Sequence, residues 1–301
     1  MLNFGRYFDR LKRIRSRMRK VLFINQRNLS YIYPNNQRMD YPIADNKLKT
    51  KELLKTIDIP IAETYFVYEY FYELLQLKTD LLQYSDFVIK PAGGKGGGGI
   101  MVISGRCGDD WMGINGKQYS LESIRKHVSD IIFGVYSFGL SDFAIVEYRI
   151  LQHSAIELLS PFGLADVRMI VKQHRPIMAM LRLATKNSNG TANLHQGAIG
   201  VGIDINTGKT INATLNGDYI SRHPDSKVDL IGHTIPNWVE LLQYCKRTSE
   251  ATPLKYLGID LALSISGPVI LEINVRPGIE IQNANNLGMR ALLESKDPQG
   301  H

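Results

Sequence analysis

In the first twenty-two residues of the chain, apolar and basic positions follow the periodicity of an α-helix. The apolar positions recur three or four residues apart and are Phe4, Phe8, Leu11, Ile14, Met18 and Leu22. Arginine and lysine occupy many of the positions between them. This pattern predicts an amphipathic helix with a basic face. In one interpretation the helix docks on the body of the protein and its basic face is solvated. In the other, the basic face binds an anionic membrane surface or another anionic partner.

The next sixty residues carry weaker signals. Residues 25–46 are polar and contain Pro34, Pro42 and several Asn and Tyr residues, which predicts loops or short strands. Residues 47–57 predict a short helix, which the turn at residues 58–60 closes. A second helix is predicted over residues 69–82.

Strand patterns dominate the remainder. Turn residues separate short runs of alternating or continuous apolar residues. These runs predict strands at residues 86–90, 100–103, 143–148, 167–172, 177–184, 198–204, 209–213, 258–264 and 268–275. Helices are predicted at residues 236–247 and 283–293. Because helices and strands do not alternate regularly, we expect an α+β fold with mainly antiparallel pairs, not a doubly wound parallel sheet.

The charge of the chain changes this picture at one end only. The 301 residues carry a formal net charge of +7, and residues 1–20 hold eight basic groups and one acidic group. The remaining residues are therefore neutral overall, with 28 basic and 28 acidic groups. This distribution makes nucleic acid an unlikely partner of the body, because a nucleic-acid-binding domain carries a basic face. It leaves a basic arm at residues 1–20 for an anionic membrane surface or polymer.

Composition sets further limits. At 44% hydrophobic and 22% charged residues, the chain is typical of a soluble protein with one large or two modest domains. No apolar run approaches the roughly 20 residues that span a membrane, and the basic start lacks the apolar region of a signal peptide. Cys107 and Cys245 make no disulfide framework or metal cluster. We therefore expect a cytoplasmic protein, with peripheral membrane contact left open.

A glycine-rich segment is the first feature that indicates chemistry. Six of the 26 glycines lie between Lys90 and Gly99, in the sequence KPAGGKGGGG. Glycine allows successive backbone N–H groups to converge on an anion. Predicted strands flank the segment, which makes it a flap over a phosphate chain and not a P-loop or a dinucleotide fingerprint, both of which need a following helix. Lys90 would supply a positive charge beside the phosphates.

Two predicted strands near the carboxyl end form an acidic hairpin. Glu272 and Asn274 are two residues apart and project from one face. If the hairpin turns at residue 266, Asp260 lies opposite Glu272, with cross-strand Cβ atoms roughly 5 Å apart. Such carboxylates repel each other unless a cation lies between them. Two carboxylates and an amide oxygen are ligands that suit Mg²⁺, and Arg276 follows directly.

Taken together, these motifs resemble the ATP-grasp superfamily over residues 45–294. The greatest similarity is to RimK-type α-L-glutamate ligases and to the related glutamate-ligase-like, sugar-transfer-associated ATP-grasp proteins. The motifs that carry it are KPAGGKGG from Lys90, ADVRMIV from Ala165, MAMLR from Met178, ANLHQG from Ala192, GID from Gly258 and LEINVRPG from Leu271.

The resemblance implies a role for each matching residue. The nucleotide-binding residues would be Lys47, Lys90, Gly93, Gly94, Lys95, Gly96, Gly97 and Gly98, with Val146 and Glu147 reading adenine through their backbone and His153 near the ribose. The Mg²⁺ ligands would be Asp260, Glu272 and Asn274, for two ions, with Mn²⁺ as an alternative. Arg168, Arg182 and Arg276 would bind phosphate, a substrate carboxylate or the acyl phosphate, and Asn193 and His195 would lie near the acceptor.

The resemblance also implies an architecture and a reaction. We expect residues 1–44 to form the basic helix and a short segment, residues 45–145 a small lobe, residues 146–294 a large lobe, and residues 295–301 a tail. The implied activity is an ATP- and Mg²⁺-dependent carboxylate–amine ligase that forms an amide through an acyl phosphate. The product would be a glutamate-type peptide or an amidated, carboxyl-bearing saccharide, and a homo-oligomer stays open.

One departure from the family pattern affects the substrate. Typical ATP-grasp ligases carry an N-terminal α/β domain before the first lysine, whereas 46 residues precede Lys47 here. We therefore expect a substrate pocket that is more open, is completed by another chain, or binds something large. Two other functions remain as alternatives: an ATP-grasp kinase that phosphorylates a hydroxyl, and a non-catalytic nucleotide-binding module.

Overall fold

Two antiparallel sheets organise the protein in a computed structural model, which describes residues 20–94, 96–114 and 116–295. The smaller sheet has the strand order β1–β6–β2–β3–β4–β5 and the larger sheet the order β11–β10–β9–β8–β7–β12–β13. The strands of the smaller sheet are β1 Thr64–Tyr68, β2 Phe87–Pro91, β3 Met101–Cys107, β4 Asp110–Gly113, β5 Gln118–Tyr119 and β6 Ala144–Glu147. Those of the larger sheet are β7 Asp166–Lys172, β8 Arg175–Leu183, β9 Ile199–Ile203, β10 Thr210–Leu215, β11 Asp218–Tyr219, β12 Tyr256–Ser264 and β13 Gly267–Asn274.

The helices are mostly short. In chain order they are α1 Ile24–Arg27, α2 Pro42–Asp45, α3 Lys47–Thr56, α4 Leu77–Leu81, α5 Leu121–Ile132, α6 Ser154–Glu157, α7 Trp238–Ala251, α8 Ile281–Ala284 and α9 Arg290–Glu294. A π-helical turn spans Asn28–Ile32, and 3₁₀ turns span Arg38–Asp40, Phe71–Leu75 and Leu194–Gln196. Among the residues that the structure describes, no helix is long and apolar enough to cross a membrane.

Each sheet packs its own hydrophobic core. Around the smaller sheet, which together with α4 and α5 is called the small lobe below, α5 packs against β2 and β6, near Phe87, Ile89 and Trp111. Around the larger sheet, which together with α3 and α7 is called the large lobe below, α7 packs against β7, β8 and β12. Helix α3, the segment before it and the turn after it contribute to the core of the large lobe, through residues Leu22, Tyr31, Ile32, Tyr41, Ala44, Leu54 and Ile59. The helix that begins at Lys47 is therefore anchored to the larger lobe.

The α+β class and the antiparallel pairing are confirmed, and each predicted strand overlaps an observed one. The helix predicted at residues 47–57 is observed as α3, and the hairpin at residue 266 is observed between β12 and β13. The amphipathic helix predicted for residues 1–20 lies outside the described residues, apart from Lys20.

Three predictions of secondary structure are wrong. Residues 25–46 form helical turns, because Tyr31, Ile32 and Tyr41 pack into the large core. The helix predicted over residues 69–82 is a 3₁₀ turn followed by α4. The last helix is divided into α8 and α9, with Asn286 at φ 48° between them. Strands β1, β4, β5 and β11 and helix α5 had not been predicted from the sequence.

Candidate functional site

The acidic hairpin has the register that the sequence predicts. Asp260 on β12 pairs with Glu272 on β13, and Gly258 pairs with Asn274. Asp260 is buried, whereas the side chain of Glu272 is one-third exposed. The Nδ2 atom of Asn274 donates to Asp260 Oδ2 and to Glu272 Oε1, both at 3.2 Å. The hairpin therefore brings the two carboxylates and the amide to one place.

Two arginines of the neighbouring strands hold Asp260. Arg168 donates to both oxygens of Asp260, at 2.8 and 2.5 Å, and Arg182 donates to Oδ2 at 2.7 Å. Arg182 also donates to Asp166 at 2.6 Å. The cause is the strand register, which sets Asp260 opposite Arg168 and Asp166 opposite Arg182. The four side chains form one buried network without net charge.

The electrostatics of this network differ between its two carboxyl groups. Burial acts to raise the pKa of Asp260, but Arg168 and Arg182 hold it well below its usual range. Burial raises the pKa of Asp166 to about 6, against the opposing effect of Arg182. The pKa of Arg182 is raised, because Asp166 and Asp260 outweigh its desolvation. Asp260 is thus the anion that both guanidinium groups neutralise.

The donor set fits a magnesium ion in part. Glu272 and Asn274 offer hard oxygen ligands at a partly exposed position, as Mg²⁺ prefers. Both oxygens of Asp260 accept from arginine. Within the described residues, no group of three or more His, Cys, Asp and Glu side chains has a metal-binding arrangement. Glu272 is therefore the carboxylate best placed to hold a cation.

Lys47 connects the glycine-rich segment with the acidic hairpin. Asn46 caps α3 by accepting from the backbone N–H groups of Leu48 and Lys49, and this fixes the position of Lys47 in the first turn. The Nζ atom of Lys47 donates to the carbonyl oxygen of Gly94 at 2.8 Å and lies 3.8 Å from Glu272 Oε2. Burial lowers the pKa of Lys47. One lysine thus spans the two lobes at the predicted nucleotide site.

The glycine-rich segment is anchored at both ends by side chains. Asp142 accepts from the backbone N–H of Gly93 at 3.0 Å and from the hydroxyl of Ser137. At the other end, His127 Nε2 lies 2.9 Å from the carbonyl oxygen of Gly99. Gly99 has φ +76°, and a Cβ atom there would lie 2.7 Å from the ring of Tyr136. The segment is thus a shaped loop and not a loose hairpin tip.

The large lobe also contacts the middle of this loop. The Nδ2 atom of Asn193 donates to the carbonyl oxygen of Gly96 at 2.8 Å. Asn193 caps the 3₁₀ turn Leu194–Gln196 by accepting from the N–H of His195. The ANLHQG segment and the glycine-rich loop therefore meet across the two lobes. Lys95, which was predicted to bind nucleotide, lies outside the described residues.

Lys90 takes part in a second buried charge cluster. Its Nζ lies 2.5 Å from Glu147 Oε1, and Lys51 Nζ lies 2.5 Å from Glu147 Oε2. Lys51 also donates to the carbonyl of Ala62 and to the hydroxyl of Thr64. Burial would raise the pKa of Glu147, but the two lysines hold it below its usual value. Glu147 therefore remains an anion between two cations.

The other residues predicted for the site lie in different environments. β6 lies between β1 and β2, so the residues Val146 and Glu147 pair with a neighbouring strand on each side. His153 caps α6 through its Nδ1 atom. Arg276 is exposed and lies over the ring of Tyr41, with its guanidinium carbon 5.4 Å from the ring centre. His195 is exposed, 3.8 Å from Glu280.

Four residues of the site had not been predicted from the sequence: Lys51, His127, Asp142 and Asp166. Lys51 carries a signal, since it lies four residues after Lys47 on the same helix face. Asp166 alternates with Arg168 along β7, so the two side chains share a face of the sheet. His127 and Asp142 belong to no motif, and the tertiary structure alone brings them to the loop.

Solved structures provide one comparison. The ATP-grasp ligase PsnB in complex with its minimal precursor is 13% identical, with a TM-score of 0.43, and covers 84% of this chain and 59% of its own. Phosphoribosylamine–glycine ligase from Thermotoga maritima is 16% identical, with a TM-score of 0.49, over 87% of this chain and 56% of its own. A RimK domain ATP-grasp protein from Sphaerobacter thermophilus is 12% identical, with a TM-score of 0.47, over 85% and 68%. This chain therefore spans less than two thirds of the first two proteins.

A search of curated proteins finds no match. A family model described as sugar-transfer associated ATP-grasp matches residues 26–297, which is most of the chain. The match includes every strand of both sheets, the glycine-rich loop and the acidic hairpin. The resemblance inferred from the motifs is thereby confirmed: the chain belongs to the sugar-transfer associated ATP-grasp family.

Proposed function

We propose that this protein is an ATP- and Mg²⁺-dependent ligase that joins a carboxylate to an amine. The observation that carries the proposal is the position of Lys47, which contacts Gly94 of the glycine-rich loop and lies 3.8 Å from Glu272. The glycine-rich loop, which suits a phosphate chain, and the acidic hairpin, which suits a cation, thus both lie next to Lys47. Such a site stabilises charge that develops during phosphoryl transfer.

The reaction has two steps. A carboxylate oxygen of the first substrate attacks the γ-phosphorus of ATP, and the bond to ADP breaks. The amine then attacks the carbonyl carbon of the acyl phosphate, the carbon–oxygen bond to phosphate breaks, and the nitrogen loses a proton. In this scheme the protein orients the reactants and neutralises charge, so the reaction requires no nucleophilic side chain.

The cations of the small lobe and of α3 would bind the triphosphate. Lys90 is held only by Glu147 among the ion pairs described, whereas Lys51 donates to Glu147, Thr64 and the Ala62 carbonyl. We therefore assign phosphate binding to Lys90 and Lys47. Lys51 holds Glu147 in its buried position. The backbone of residues 96–99 would cover the phosphates.

The large lobe would hold the cation and the acyl group. Glu272 and Asn274 would bind Mg²⁺, which supplies neutralisation of phosphate charge when it is bound. Arg168 and Arg182 fix the orientation of Asp260 through the bonds already described, and this makes them positioning residues. Arg276 is exposed and lies beside the hairpin end, so its guanidinium is available to an acyl phosphate.

A cleft of 330 Å³ beside the 3₁₀ turn at Leu194–Gln196 suits the amine substrate. Its lining includes His195, Glu280 and Asn283, and the His195 ring lies 3.8 Å from the Glu280 carboxylate. A carboxylate attracts an amine in its charged form, and an imidazole accepts the proton that the amine releases. The product is an amide of an amino acid, with a peptide or a carboxyl-bearing saccharide as the other part.

Two further properties belong to the same proposal. The protein acts in the cytoplasm, and the basic segment at residues 1–20, with a net charge of +7, contacts an anionic surface. The charge at one end of a neutral body supports the contact with an anionic surface, and the two cysteines, which make no disulfide framework, support the cytoplasm.

The test is ADP release in a panel of amino acids and uronic-acid saccharides, followed by mass spectrometry of the product. An amide, formed together with ADP and phosphate, supports the ligase. A stable phosphorylated product without an amide would show a kinase instead. ATP binding without ADP release under every acceptor pair would show a nucleotide-binding module.

A further inference from the structure

A compact loop of the small lobe carries an exposed apolar surface that the proposed reaction does not use. The loop follows α5 and spans residues 133–140. Asp142 N–H donates to the Ile132 carbonyl at 3.2 Å, and Gly139 N–H donates to the Gly134 carbonyl at 3.0 Å. Gly134 has φ +78°, and a Cβ atom there would lie 2.2 Å from the Leu140 carbonyl oxygen. The loop therefore closes on itself and projects as one unit.

The outer side of the loop is apolar. Phe133, Val135, Phe138 and Leu140 are between 62% and 87% exposed. The ring of Phe71, in the adjacent 3₁₀ turn, lies 6.1 Å from the ring of Phe133. With the exposed Leu75 of the same turn, these residues form what we call the apolar patch: Phe71, Leu75, Phe133, Val135, Phe138 and Leu140. Soluble proteins seldom expose so many large apolar side chains together unless the surface binds something.

Phe138 is the most exposed residue of the patch and has an unfavourable backbone. Its φ angle is 58°, in a region that bulky residues rarely occupy, and Gly139 follows with φ 79°. A glycine or asparagine at residue 138 would relieve this strain. The loop nevertheless holds an aromatic ring outward at its tip, with 87% of the residue exposed. Strain of this kind is concentrated at functional positions.

The inner side of the same loop supports the glycine-rich segment. Tyr136 lies against Gly99, and the hydroxyl of Ser137 donates to Asp142, which in turn accepts from Gly93. The contacts of the loop with the glycine-rich segment and Asp142 thus lie on the side of the candidate site, whereas its apolar side chains face solvent. Whatever covers the outer side therefore lies next to the glycine-rich segment.

The distribution of charge along the chain favours an anionic lipid layer as the partner of this surface. Residues 131–141 form an uncharged run of eleven, which suits the apolar boundary of a lipid layer. Residues 1–20, with eight basic groups and one acid, supply attraction to anionic headgroups. An isologous dimer would need about 20–30 residues from each partner on a matching face. The patch offers six side chains, of which Phe138 and Leu140 protrude from a narrow loop.

We propose that the apolar patch is the surface by which this protein inserts into the headgroup region of an anionic bilayer. The basic segment attracts the protein to the membrane, and the outer side of the 133–140 loop enters the lipid layer. This arrangement sets the glycine-rich segment close to the bilayer surface, because the inner side of the same loop contacts Gly99 and Asp142. Binding to lipid in this way rests on the proposed contact of residues 1–20 with an anionic surface and is independent of the ligase reaction.

The experiment measures binding of the full-length chain to vesicles. Sedimentation is compared between vesicles of pure phosphatidylcholine and vesicles of equimolar phosphatidylcholine and phosphatidylglycerol. The test variant is Phe138→Ser/Leu140→Ser, and the matched control is Tyr219→Ser/Val239→Ser, which changes two exposed apolar residues of the large lobe. Melting curves verify that both variants fold. In a second arm, Phe138→Trp and Tyr219→Trp report insertion by the position of the tryptophan emission maximum.

We expect the unmodified chain to bind the anionic vesicles and to bind less as salt is raised. The test variant should bind about tenfold less tightly or worse, because it removes two apolar side chains from the lipid. The control variant should bind as the unmodified chain does. The emission of Phe138→Trp should shift to the blue with anionic vesicles, whereas that of Tyr219→Trp should not.

Three results would overturn the proposal. The first is the absence of binding to anionic vesicles, and the second is binding that the test variant leaves unchanged. The third is a dimer in solution, seen by light scattering, that Phe138→Ser/Leu140→Ser dissociates while vesicle binding is unaffected. That last outcome would assign the apolar patch to a second copy of the chain.

Discussion

The ammonium group of Lys90 lies 2.5 Å from the carboxylate of Glu147, inside the small lobe. Glu147 is 3% exposed and also accepts from Lys51, so one buried anion stands between two buried cations. Because two further acceptors hold Lys51 in place, Lys51 would remain as the counter-charge of Glu147 if Lys90 turned to a phosphate, as we propose. The ion pair with Glu147 therefore keeps the Lys90 ammonium group beside the glycine-rich loop without leaving an unpaired buried charge.

This relationship predicts different consequences for the two lysines. Lys90→Met should lower ADP release by about 10²-fold or more with a small change in the free energy of unfolding, because Glu147 keeps Lys51. Lys51→Met should lower the free energy of unfolding by about 3 kcal/mol, since it removes a partner from a buried carboxylate and also leaves the Ala62 carbonyl and the Thr64 hydroxyl without their donor. Chemical denaturation and ATP titration of both variants measure the difference. Equal loss of stability in the two variants would contradict it.

Glu272 is the second residue with a sharp expectation. Its side chain is one-third exposed and its nearest cations lie at 3.8 and 4.0 Å, so Glu272→Ala should leave folding nearly unchanged. The same change should abolish Mg²⁺-dependent ADP release. The matched control is Glu250→Ala, which removes an exposed carboxylate that pairs with Lys246 on α7. If ADP release in the presence of a genuine amine acceptor survives in Glu272→Ala, the assignment of Glu272 to the metal is wrong.

The arginines should divide into two groups. Arg182 is largely buried between Asp166 and Asp260, with 12% of its side chain exposed, so Arg182→Met should lower the free energy of unfolding by about 3–5 kcal/mol. Arg276 is exposed over Tyr41, so Arg276→Met should leave unfolding nearly unchanged and reduce turnover. Denaturation curves and steady-state rates for the two variants test this division. A folded, stable Arg182→Met protein that has lost turnover alone would show that Arg182 acts on substrate.

His127 gives the protein a predicted pH dependence. Burial lowers the pKa of His127 below its ordinary value of 6.5, so the folded state favours the neutral ring that contacts Gly99. As the pH falls through 6.5, His127 binds a proton in the unfolded state before it does so in the folded state. The contribution of His127 to the free energy of unfolding is therefore fully present above pH 6.5, and it is lost between pH 6.5 and the lower pKa of the folded state.

The measurement is the free energy of unfolding as a function of pH. His127→Gln keeps a donor for the Gly99 carbonyl and cannot titrate, so its curve should be flatter below pH 6.5 than that of the unmodified chain. A His127→Gln curve that is as steep as the original would assign the pH dependence to other groups.

Local patterns predicted most of the strands, with the exception of β1, β4, β5 and β11, because alternation and turn residues act over a few positions. The hairpin of β12 and β13 is an example, since one turn at Ser266 and Gly267 fixes Asp260 opposite Glu272. Residues 25–46 show the limit. Their polar composition predicts loops, yet burial of Tyr31, Ile32 and Tyr41 in the large core selects helical turns.

The sequence by itself determined the chemistry that is available: the glycine-rich loop, the two lysines that we propose for phosphate binding, an acidic hairpin and a basic segment at one end. Only the tertiary structure decided which charges neutralise each other. Strands β7 and β8 bring Arg168, Arg182 and Asp166 to Asp260, and α3 brings Lys51 to Glu147. Buried charges must find partners that are distant in the chain, and sequence spacing carries no record of that pairing.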